Sequence, residues 1–312
     1  MEKRALGTSG TEIDFLVIGA QKSGTTAFFK YLTEHPQIFM PAEKEVEFFQ
    51  NDRKFKNGRQ WYYNAYFGKA PESKHKGEAS TLYMMYSCVP ERIHSFYPGV
   101  KLIAVLRDPV ERAYSHYRMA VRRGIEKRSF HECVVDGIRK GPKPDKDVCH
   151  NSDYIMFGEY GRILQNYLRW FTKDQLLVIF SEDLVREPKA DVQRTYRFLG
   201  VAEDFVPANL GRKYHVSGEQ RIPGLTEWVR ARVESLKRQK LARKFVRRIN
   251  FEAFIFWLET EFNVKAKKSD RVAPETAALL VKYYAPDVAL LESTLGIKTP
   301  WPAFKTRQGA RA

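Results

Sequence analysis

A glycine-rich turn between an apolar run and a helical pattern constrains the fold of this 312-residue chain more than any other feature. Residues 15–18 predict a buried strand, residues 19–24 (GAQKSG) predict a turn, and residues 25–34 predict a helix. Pro36 ends that helix, because a proline restricts the backbone of the residue before it. In such a turn, backbone amides and the amino terminus of a helix point at one position, which favours phosphate or sulfate.

Two further apolar runs predict strands of the same sheet. Residues 101–106 and 176–180 are near-continuous apolar segments, typical of strands that are buried on both faces of a sheet. The first is followed by Asp108 as a helix N-cap, Pro109 at the first helical position and Glu111 as the second member of a capping box. This alternation predicts an α/β fold with a central, mostly parallel sheet flanked by helices.

The pattern along the chain favours one domain. A chain of this length can bury ~75% of its unfolded surface in one core. We expect a single domain over residues 1–312, with residues 1–13 as a flexible N-terminal segment. The polar residues 141–153 and the glycine- and proline-containing residues 209–224 predict surface loops, since apolar patterns resume on both sides of each.

The charge of the chain requires an anionic partner or a solvated basic surface. Its 53 Lys and Arg against 37 Asp and Glu give a net charge of +16. Nucleic acid, an anionic membrane surface, an anionic polymer and a polyphosphorylated small ligand all match this charge. Nine of the basic residues lie in 230–248, interleaved with apolar residues at helical spacing. This segment predicts an amphipathic helix with a solvated basic face, and an anion-docking face is the alternative.

The sequence favours a cytoplasmic protein. No hydrophobic stretch precedes residue 15, and no apolar run reaches membrane-spanning length, so neither a signal peptide nor a membrane span is predicted. Cys88, Cys133 and Cys149 lack the spacing of a disulfide framework or a zinc site, which fits a reducing compartment. No bound metal is expected.

The turn departs from the Walker A loop, GxxxxGK[ST], at one position. Thr25 stands where the lysine of a nucleotide triphosphatase follows the second glycine, and the lysine of this turn is Lys22. The departure disfavours an ordinary ATPase or kinase, while an anion-binding loop remains indicated. Two alternatives stay open: a P-loop kinase-like phosphotransferase, and a non-enzymatic polyanion or nucleic-acid binder that uses residues 230–248.

Together with three other segments, the turn resembles sulfotransferases that use 3′-phosphoadenosine 5′-phosphosulfate (PAPS), and most of all the heparan sulfate N- and 3-O-sulfotransferase branch, in a soluble, bacterial-type form. FLVIGAQKSGTTAFFKYLTEHP resembles the 5′-phosphosulfate loop of that family. Residues 44–49 (KEVEFF) resemble its KE-x-x-FF segment, and residues 106–115 (LRDPVERAYS) resemble its 3′-phosphate motif. Residues 176–184 resemble the strand that follows in the same fold, and the resemblance runs from about residue 15 to 199.

The resemblance implies a P-loop-like three-layer fold, PAPS as the sulfuryl donor and PAP, its desulfated form, as the product. It implies that Lys22 stabilises charge on the leaving oxygen and that Glu45, in a segment expected to enter a helix, is the base. Arg107 and Ser115 are expected to hold the 3′-phosphate. The expected cofactor-binding residues are Gln21, Lys22, Ser23, Gly24, Thr25, Thr26, Arg107, Ser115, Arg212, Lys213 and Arg221.

Structural roles are the alternatives for two of these residues. Arg107 can instead form an ion pair with Asp108 or Glu111 at a helix start, and Glu45 can be one carboxylate in a solvated charge cluster.

The chain also departs from the heparan branch. Ala79 stands where that branch has a lysine, whose role must be absent or supplied by another residue. Residues 211–214 and 217–221 compete for the role of the basic loop that closes over the cofactor. The expected acceptor is a hydroxyl or amine of a glycan or of a small-molecule natural product, and nucleic acid is not an expected partner.

Overall fold

The computed structural model of the protein describes residues 12–141, 152–212, 218–220, 222, 228–229, 232, 264–266 and 271–305. The chain divides into two compact units: the first is Met1–Arg212 with Val272–Ala312, and the second is Lys213–Arg271. A single domain over residues 1–312 stays a prediction, and most of the expected flexible segment 1–13 lies outside the described residues.

The first unit alternates strands and helices. Its strands are β1 (Phe15–Gly19), β2 (Ile38–Phe39), β3 (His75–Ala79), β4 (Lys101–Leu106) and β5 (Leu176–Phe180). Its helices are α1 (Thr25–Glu34), α2 (Asp52–Phe55), α3 (Gly58–Phe67), α4 (Val89–Phe96), α5 (Pro109–Arg122), α6 (Phe130–Lys140), α7 (Tyr160–Tyr167), α8 (Ser181–Arg186), α9 (Pro188–Leu199) and α10 (Pro274–Leu295). Short 3-10 turns occupy Thr81–Met85, Met156–Gly158, Lys173–Gln175 and Pro302–Phe304.

The five strands form one sheet in the order β2-β3-β1-β4-β5, and every neighbouring pair is parallel. All residues of β1 are buried, as are five of the six residues of β4. Strands with both faces covered exclude water along their whole length, which explains their continuous apolar sequences. The prediction of an α/β fold with a parallel sheet flanked by helices is confirmed.

The strand order places a crevice beside β1. The chain leaves β1 toward β2 and β3 on one side of the sheet and later crosses to β4 and β5 on the other side. In open parallel sheets, ligands bind beyond the carboxyl ends of the strands at such a reversal of direction. The turn after β1 and the residue after β4 lie at this position.

Two strands were missed by the sequence analysis. β2 has only two residues, and β3 has the sequence HKGEA, in which neither apolar alternation nor β-branched residues occur. β3 is nevertheless buried at four of its five positions, because it lies between β2 and β1. Its place in the sheet therefore comes from tertiary pairing and not from local propensity.

Two local predictions around the site were wrong. The segment after Pro41 does not enter a helix: Glu45 and Glu47 have φ angles of 67° and 55°, and the next helix begins only at α2. Asp108 caps α5 as predicted, by accepting from the amides of residues 110 and 111. The reciprocal half of the capping box is absent, because the Asp108 amide donates to Glu182 Oε1 at 2.9 Å.

The second unit contains a short antiparallel pair, β6 (Gly218–Gln220) and β7 (Val264–Ala266). Residues 218–220 were predicted to lie in a surface loop, so this part of the loop prediction is wrong. Residues 142–151 and nearly all of the basic segment 230–248 lie outside the described residues.

Two further features concern the cysteines and the length of the helices. Cys88 is half-buried and Cys133 is buried, and no disulfide joins these two, whereas Cys149 lies outside the described residues. Across the described ranges, no helix is both long enough and apolar enough to cross a bilayer.

Candidate functional site

The turn after β1 is shaped by a glycine and is attached to the neighbouring strand. Gly24 has a φ of 87°, in the left-handed region that favours glycine, immediately before α1. The Ala20 amide donates to the Val105 carbonyl of β4 at 2.7 Å. Among the described residues, no side chain caps the amino terminus of α1. The helix thus lacks the side-chain oxygen that usually accepts from its first amides, an arrangement that favours an anion.

Lys22 lies in this turn, with a positive φ of 72° and a half-buried side chain. Burial of the ammonium group is the main reason why the pKa of Lys22 falls from 10.5 to about 7. The positive charges of Arg122, Arg123, Arg107 and Arg112 lower it further. Five cations therefore share one region, and a bound anion relieves their mutual repulsion.

Arg107 follows β4, and its guanidinium faces the turn. Its Nη1 lies 3.5 Å from the Lys22 carbonyl oxygen, and its Nη2 lies 3.3 Å from the Glu111 carboxylate. The ion pair that was the structural alternative for Arg107 is thus present, but it is long and partly exposed and contributes little stability.

Tyr160 holds the backbone at the end of β4. It is fully buried, and its hydroxyl donates to the Arg107 carbonyl at 3.0 Å. Ser23, in the turn, is also fully buried. The backbone that carries Arg107 is therefore fixed by one buried tyrosine.

Ser115 lies on the same side of α5 as Glu111. Glu111, Ser115 and Arg122 follow each other at spacings of four and seven residues, which places them on one side of a helix. Glu111, on this side of α5, lies 3.3 Å from Arg107, and Arg122 is one of four arginines whose charges lower the pKa of Lys22. Ser115 is half-buried between Glu111 and Arg122.

Arg112 adds a buried positive charge to the same helix. It is fully buried, and its guanidinium donates to the Tyr154 carbonyl and lies 3.5 Å from His116 Nδ1. Within the described part of the chain, no carboxylate forms an ion pair with it. A buried cation without a counter-ion raises the positive potential of its surroundings, in keeping with its effect on Lys22.

Glu45 is held at the end of β3. One of its carboxylate oxygens accepts from the Thr81 amide at 2.7 Å, and the Thr81 hydroxyl lies 3.0 Å from both oxygens. The Lys44 ammonium lies 2.7 Å from the other oxygen. The buried Ala79 contributes only its carbonyl, which accepts from the Glu45 amide at 3.2 Å. The cation beside the Glu45 carboxylate is therefore Lys44.

The three key groups follow the order of the strands. Glu45 is fixed at the carboxyl end of β3, Lys22 lies in the turn after β1, and Arg107 follows β4. Because β3, β1 and β4 are adjacent and parallel, and neighbouring strands lie about 4.8 Å apart, these groups line one edge of the sheet. A carboxylate, a turn lysine and an arginine thus follow one another along the crevice.

The other predicted site residues are placed as follows. Thr25 is buried, and Gln21 and Thr26 are half-buried, all in or next to the turn. Arg212 is exposed, and the preceding Gly211 donates its amide to the Tyr31 hydroxyl of α1 at 3.1 Å. Lys213 and Arg221 lie outside the described residues. The binding roles of all these residues stay predictions.

Sequence reasoning missed the residues that hold the site together. Thr81 orients Glu45, Tyr160 holds the Arg107 carbonyl, and Glu78 lies fully buried on β3. Of residues 77–79, the sequence analysis singled out Ala79 alone. Local sequence offered no signal for Glu78, because the strand that buries it is set by tertiary pairing.

The fold and the site define a P-loop-like α/β protein with clustered positive charge at the carboxyl edge of its sheet. Among the described residues, no group of three or more His, Cys, Asp or Glu side chains is arranged to hold a metal ion. Residues 12–210 match the family model of the sulfotransferase domain. The chain therefore belongs to the sulfotransferase family.

Relatives of known activity include heparan sulfate sulfotransferases. The chain is 33% identical over 198 residues to human bifunctional heparan sulfate N-deacetylase/N-sulfotransferase 3, covering 60% of this chain and 22% of that protein. It is 31% identical over 186 residues to mouse heparan sulfate glucosamine 3-O-sulfotransferase 6, covering 60% of this chain and 52% of that protein. The chain thus spans at most about half of the length of these two relatives.

A solved structure supports the fold over most of the chain. A sulfotransferase from Alicyclobacillus acidocaldarius is 25% identical, has a TM-score of 0.63, and is matched over 92% of this chain and 97% of its own length.

Proposed function

We propose that this protein transfers the sulfuryl group of PAPS to a hydroxyl or amine of a glycan or a small-molecule natural product. The observation that carries the proposal is the order of Glu45, Lys22 and Arg107 along the carboxyl edge of the sheet. A base, a cation for the leaving oxygen and a cation for a second phosphate then follow one another across one crevice.

The chemistry of the site fits a donor with several negative charges. PAPS carries a 5′-phosphosulfate and a 3′-phosphate and supplies an activated sulfuryl group. The uncapped amino terminus of α1, the turn residues 21–26 and Lys22 are proposed to hold the phosphosulfate. Arg107 and Ser115 are proposed to hold the 3′-phosphate, with charge from Arg112 behind them. Arg212, Lys213 and Arg221 are proposed as further cofactor contacts.

Two side chains are proposed to act in the transfer step. Glu45 accepts the proton of the acceptor hydroxyl or amine while the new oxygen–sulfur or nitrogen–sulfur bond forms. Lys22, protonated, places its charge at the bridging oxygen, which keeps the electron pair of the sulfur–oxygen bond that breaks. Thr81 keeps the Glu45 carboxylate in one orientation, so less reorganisation is needed in the transition state.

The proposal is tested by calorimetry with PAP and with adenosine 5′-phosphate, which lacks the 3′-phosphate. Charge-assisted hydrogen bonds contribute roughly 1.5–3 kcal/mol each, so the wild type is expected to prefer PAP by tenfold to a hundredfold or more. Arg107→Ala is expected to lose most of this preference. Equal binding of the two nucleotides by the wild type would remove the 3′-phosphate site from the proposal.

A screen with radiolabelled PAPS against glycan and small-molecule acceptors identifies the acceptor. Thermal shift with PAP, ATP and heparin in separate wells tests the donor, because a ligand that binds only the folded state raises the melting temperature. Stabilisation by ATP alone or by heparin alone would favour a phosphotransferase or a polyanion binder instead.

A further inference from the structure

A buried carboxylate on β3 organises a network of hydroxyl groups behind the proposed base. Glu78 is fully buried, and its oxygens accept from the hydroxyls of Tyr62 at 3.1 Å, Tyr83 at 2.5 Å and Ser80 at 2.7 Å. In the part of the chain that the structure describes, no Lys or Arg forms an ion pair with Glu78. Three hydroxyl donors thus stand in for a counter-ion.

Two of these hydroxyls also hold the segment that carries Glu45. Ser80 Oγ accepts from the Glu47 amide at 2.9 Å, and the Tyr83 hydroxyl accepts from the Phe48 amide at 3.1 Å. A hydroxyl has a single hydrogen. Because Ser80 and Tyr83 both give that hydrogen to Glu78, their lone pairs are left to face the two amides. The carboxylate therefore determines which way both hydroxyls point.

The segment needs such support because its backbone is unusual. Glu45 and Glu47 both lie in the left-handed region, with φ angles of 67° and 55°. That region is unfavourable for any residue with a side chain, because the Cβ atom crowds the following carbonyl oxygen. Residues 41–47 belong to no helix or strand. Hydrogen bonds to Ser80, Tyr83 and Ala79 therefore take the place of regular secondary structure.

We propose that Glu78 is a positioning residue for the reaction: through Ser80 and Tyr83 it fixes the backbone at Glu47 and Phe48 and thereby places the Glu45 carboxylate. This inference rests on the proposed role of Glu45 as the base. Burial raises the pKa of Glu78 to about 7, and the charge of Glu45 also raises it, so the two carboxylates interact electrostatically.

The chain offers a matched control for the test. Tyr62 donates to the same Glu78 oxygen as Tyr83, but no amide of the 45–49 segment donates to it among the described residues. Tyr83→Phe and Ser80→Ala remove both a Glu78 bond and an amide bond, whereas Tyr62→Phe removes only a Glu78 bond. If Glu78 and its hydroxyl partners only stabilise the fold, Tyr83→Phe and Tyr62→Phe should change kcat by similar factors.

The experiment measures kcat, KM, the Kd of PAP and amide hydrogen exchange for each variant. Glu78→Gln, Tyr83→Phe and Ser80→Ala are each expected to lower kcat about tenfold and to speed exchange at Glu47 and Phe48. The Kd of PAP is expected to stay within about twofold of wild type. Tyr62→Phe is expected to keep kcat and this exchange within about twofold of wild type. If one tyrosine variant fails to fold, Ser80→Ala still tests the positioning role of Glu78 through its kcat and through the exchange at Glu47.

The two proposals fail in different ways. If Glu45→Gln keeps wild-type turnover, the proposed base is wrong, whatever the exchange rates are. If Glu45→Gln is inactive while Glu78→Gln, Ser80→Ala and Tyr83→Phe match Tyr62→Phe in kcat, the positioning role is overturned. In the Glu45→Gln background, Glu78→Gln is expected to have little further effect on kcat, because its effect acts through Glu45. A full additional tenfold loss there would also overturn it.

Discussion

The low pKa of Lys22 predicts that nucleotide binding takes up a proton. With a pKa of about 7 in the free protein, Lys22 is about half protonated at pH 7 and about one hundredth protonated at pH 9. A bound polyanion favours the ammonium form and returns its pKa toward the ordinary value of 10.5. Since the bound state holds the proton more tightly than the free state, binding must weaken as the pH rises above 7.

The magnitude follows from the two pKa values. Lys22 titrates with a pKa of about 7 in the free protein and is expected to return to 10.5 in the complex. The loss of the proton from the free protein then makes PAP binding about fiftyfold weaker at pH 9 than at pH 7, on the order of 2.3 kcal/mol. Calorimetry at pH 8 in two buffers of different ionisation enthalpy is expected to show uptake of about 0.9 proton for each PAP bound. Above pH 7 the phosphate groups of PAP stay ionised and add little to this change.

Substitution of the lysine identifies the group that titrates. Lys22→Arg keeps the charge, and a guanidinium does not titrate in this range, so its affinity for PAP is expected to be nearly constant from pH 7 to 9. Lys22→Met is expected to bind weakly and also without this pH dependence. Proton uptake near zero in the wild type, or the same slope in Lys22→Arg, would refute the assignment to Lys22.

Three further predictions concern turnover and stability. Lys22→Ala is expected to fold normally and to lose about 100-fold or more in kcat, as measured by sulfuryl transfer from labelled PAPS, because charge stabilisation of the leaving oxygen is lost; near wild-type kcat would exclude the proposed role. Glu45→Gln is expected to lower kcat about 100-fold or more while the Kd of PAP stays within about twofold, and a parallel fall in affinity would assign Glu45 to the cofactor site instead. Gly24→Ala is expected to lower the free energy of unfolding by about 1–2 kcal/mol and to weaken PAP binding, because its φ of 87° disfavours a side chain. Gly99→Ala, where an added Cβ meets nothing within 4 Å, is the control, and equal denaturation midpoints for the two variants would contradict the reasoning.

Local sequence was sufficient for the elements whose patterns are strong. The strands β1, β4 and β5 and the helix α1 are where the apolar runs and the glycine turn indicated. Gly24 stands immediately before α1 and has a positive φ, which glycine adopts readily. A continuous apolar run indicates a strand that is covered on both faces. Lys22 and Arg107 could be named because each directly follows such an element.

The residues of β3 show where local reasoning stops. Nothing in HKGEA favours a strand, and its burial comes from pairing with β1 and β2 on either side. The helix predicted at Glu45 is absent for a similar reason: its segment is held by residues distant in sequence. These residues lie at the end of β3 and in the turn after it, and they are Ala79, Ser80, Thr81 and Tyr83.

The sequence by itself therefore determined the class of fold, the glycine turn after β1 and the identity of the charged groups. Only the tertiary structure decided that Glu45, Lys22 and Arg107 line one edge in the order of β3, β1 and β4, and that Glu78 lies behind them. The physical reason is the range of the interactions. Propensity, turn geometry and periodicity act between residues a few positions apart, whereas strand order and the partners of a buried carboxylate depend on segments that meet only after the chain has folded.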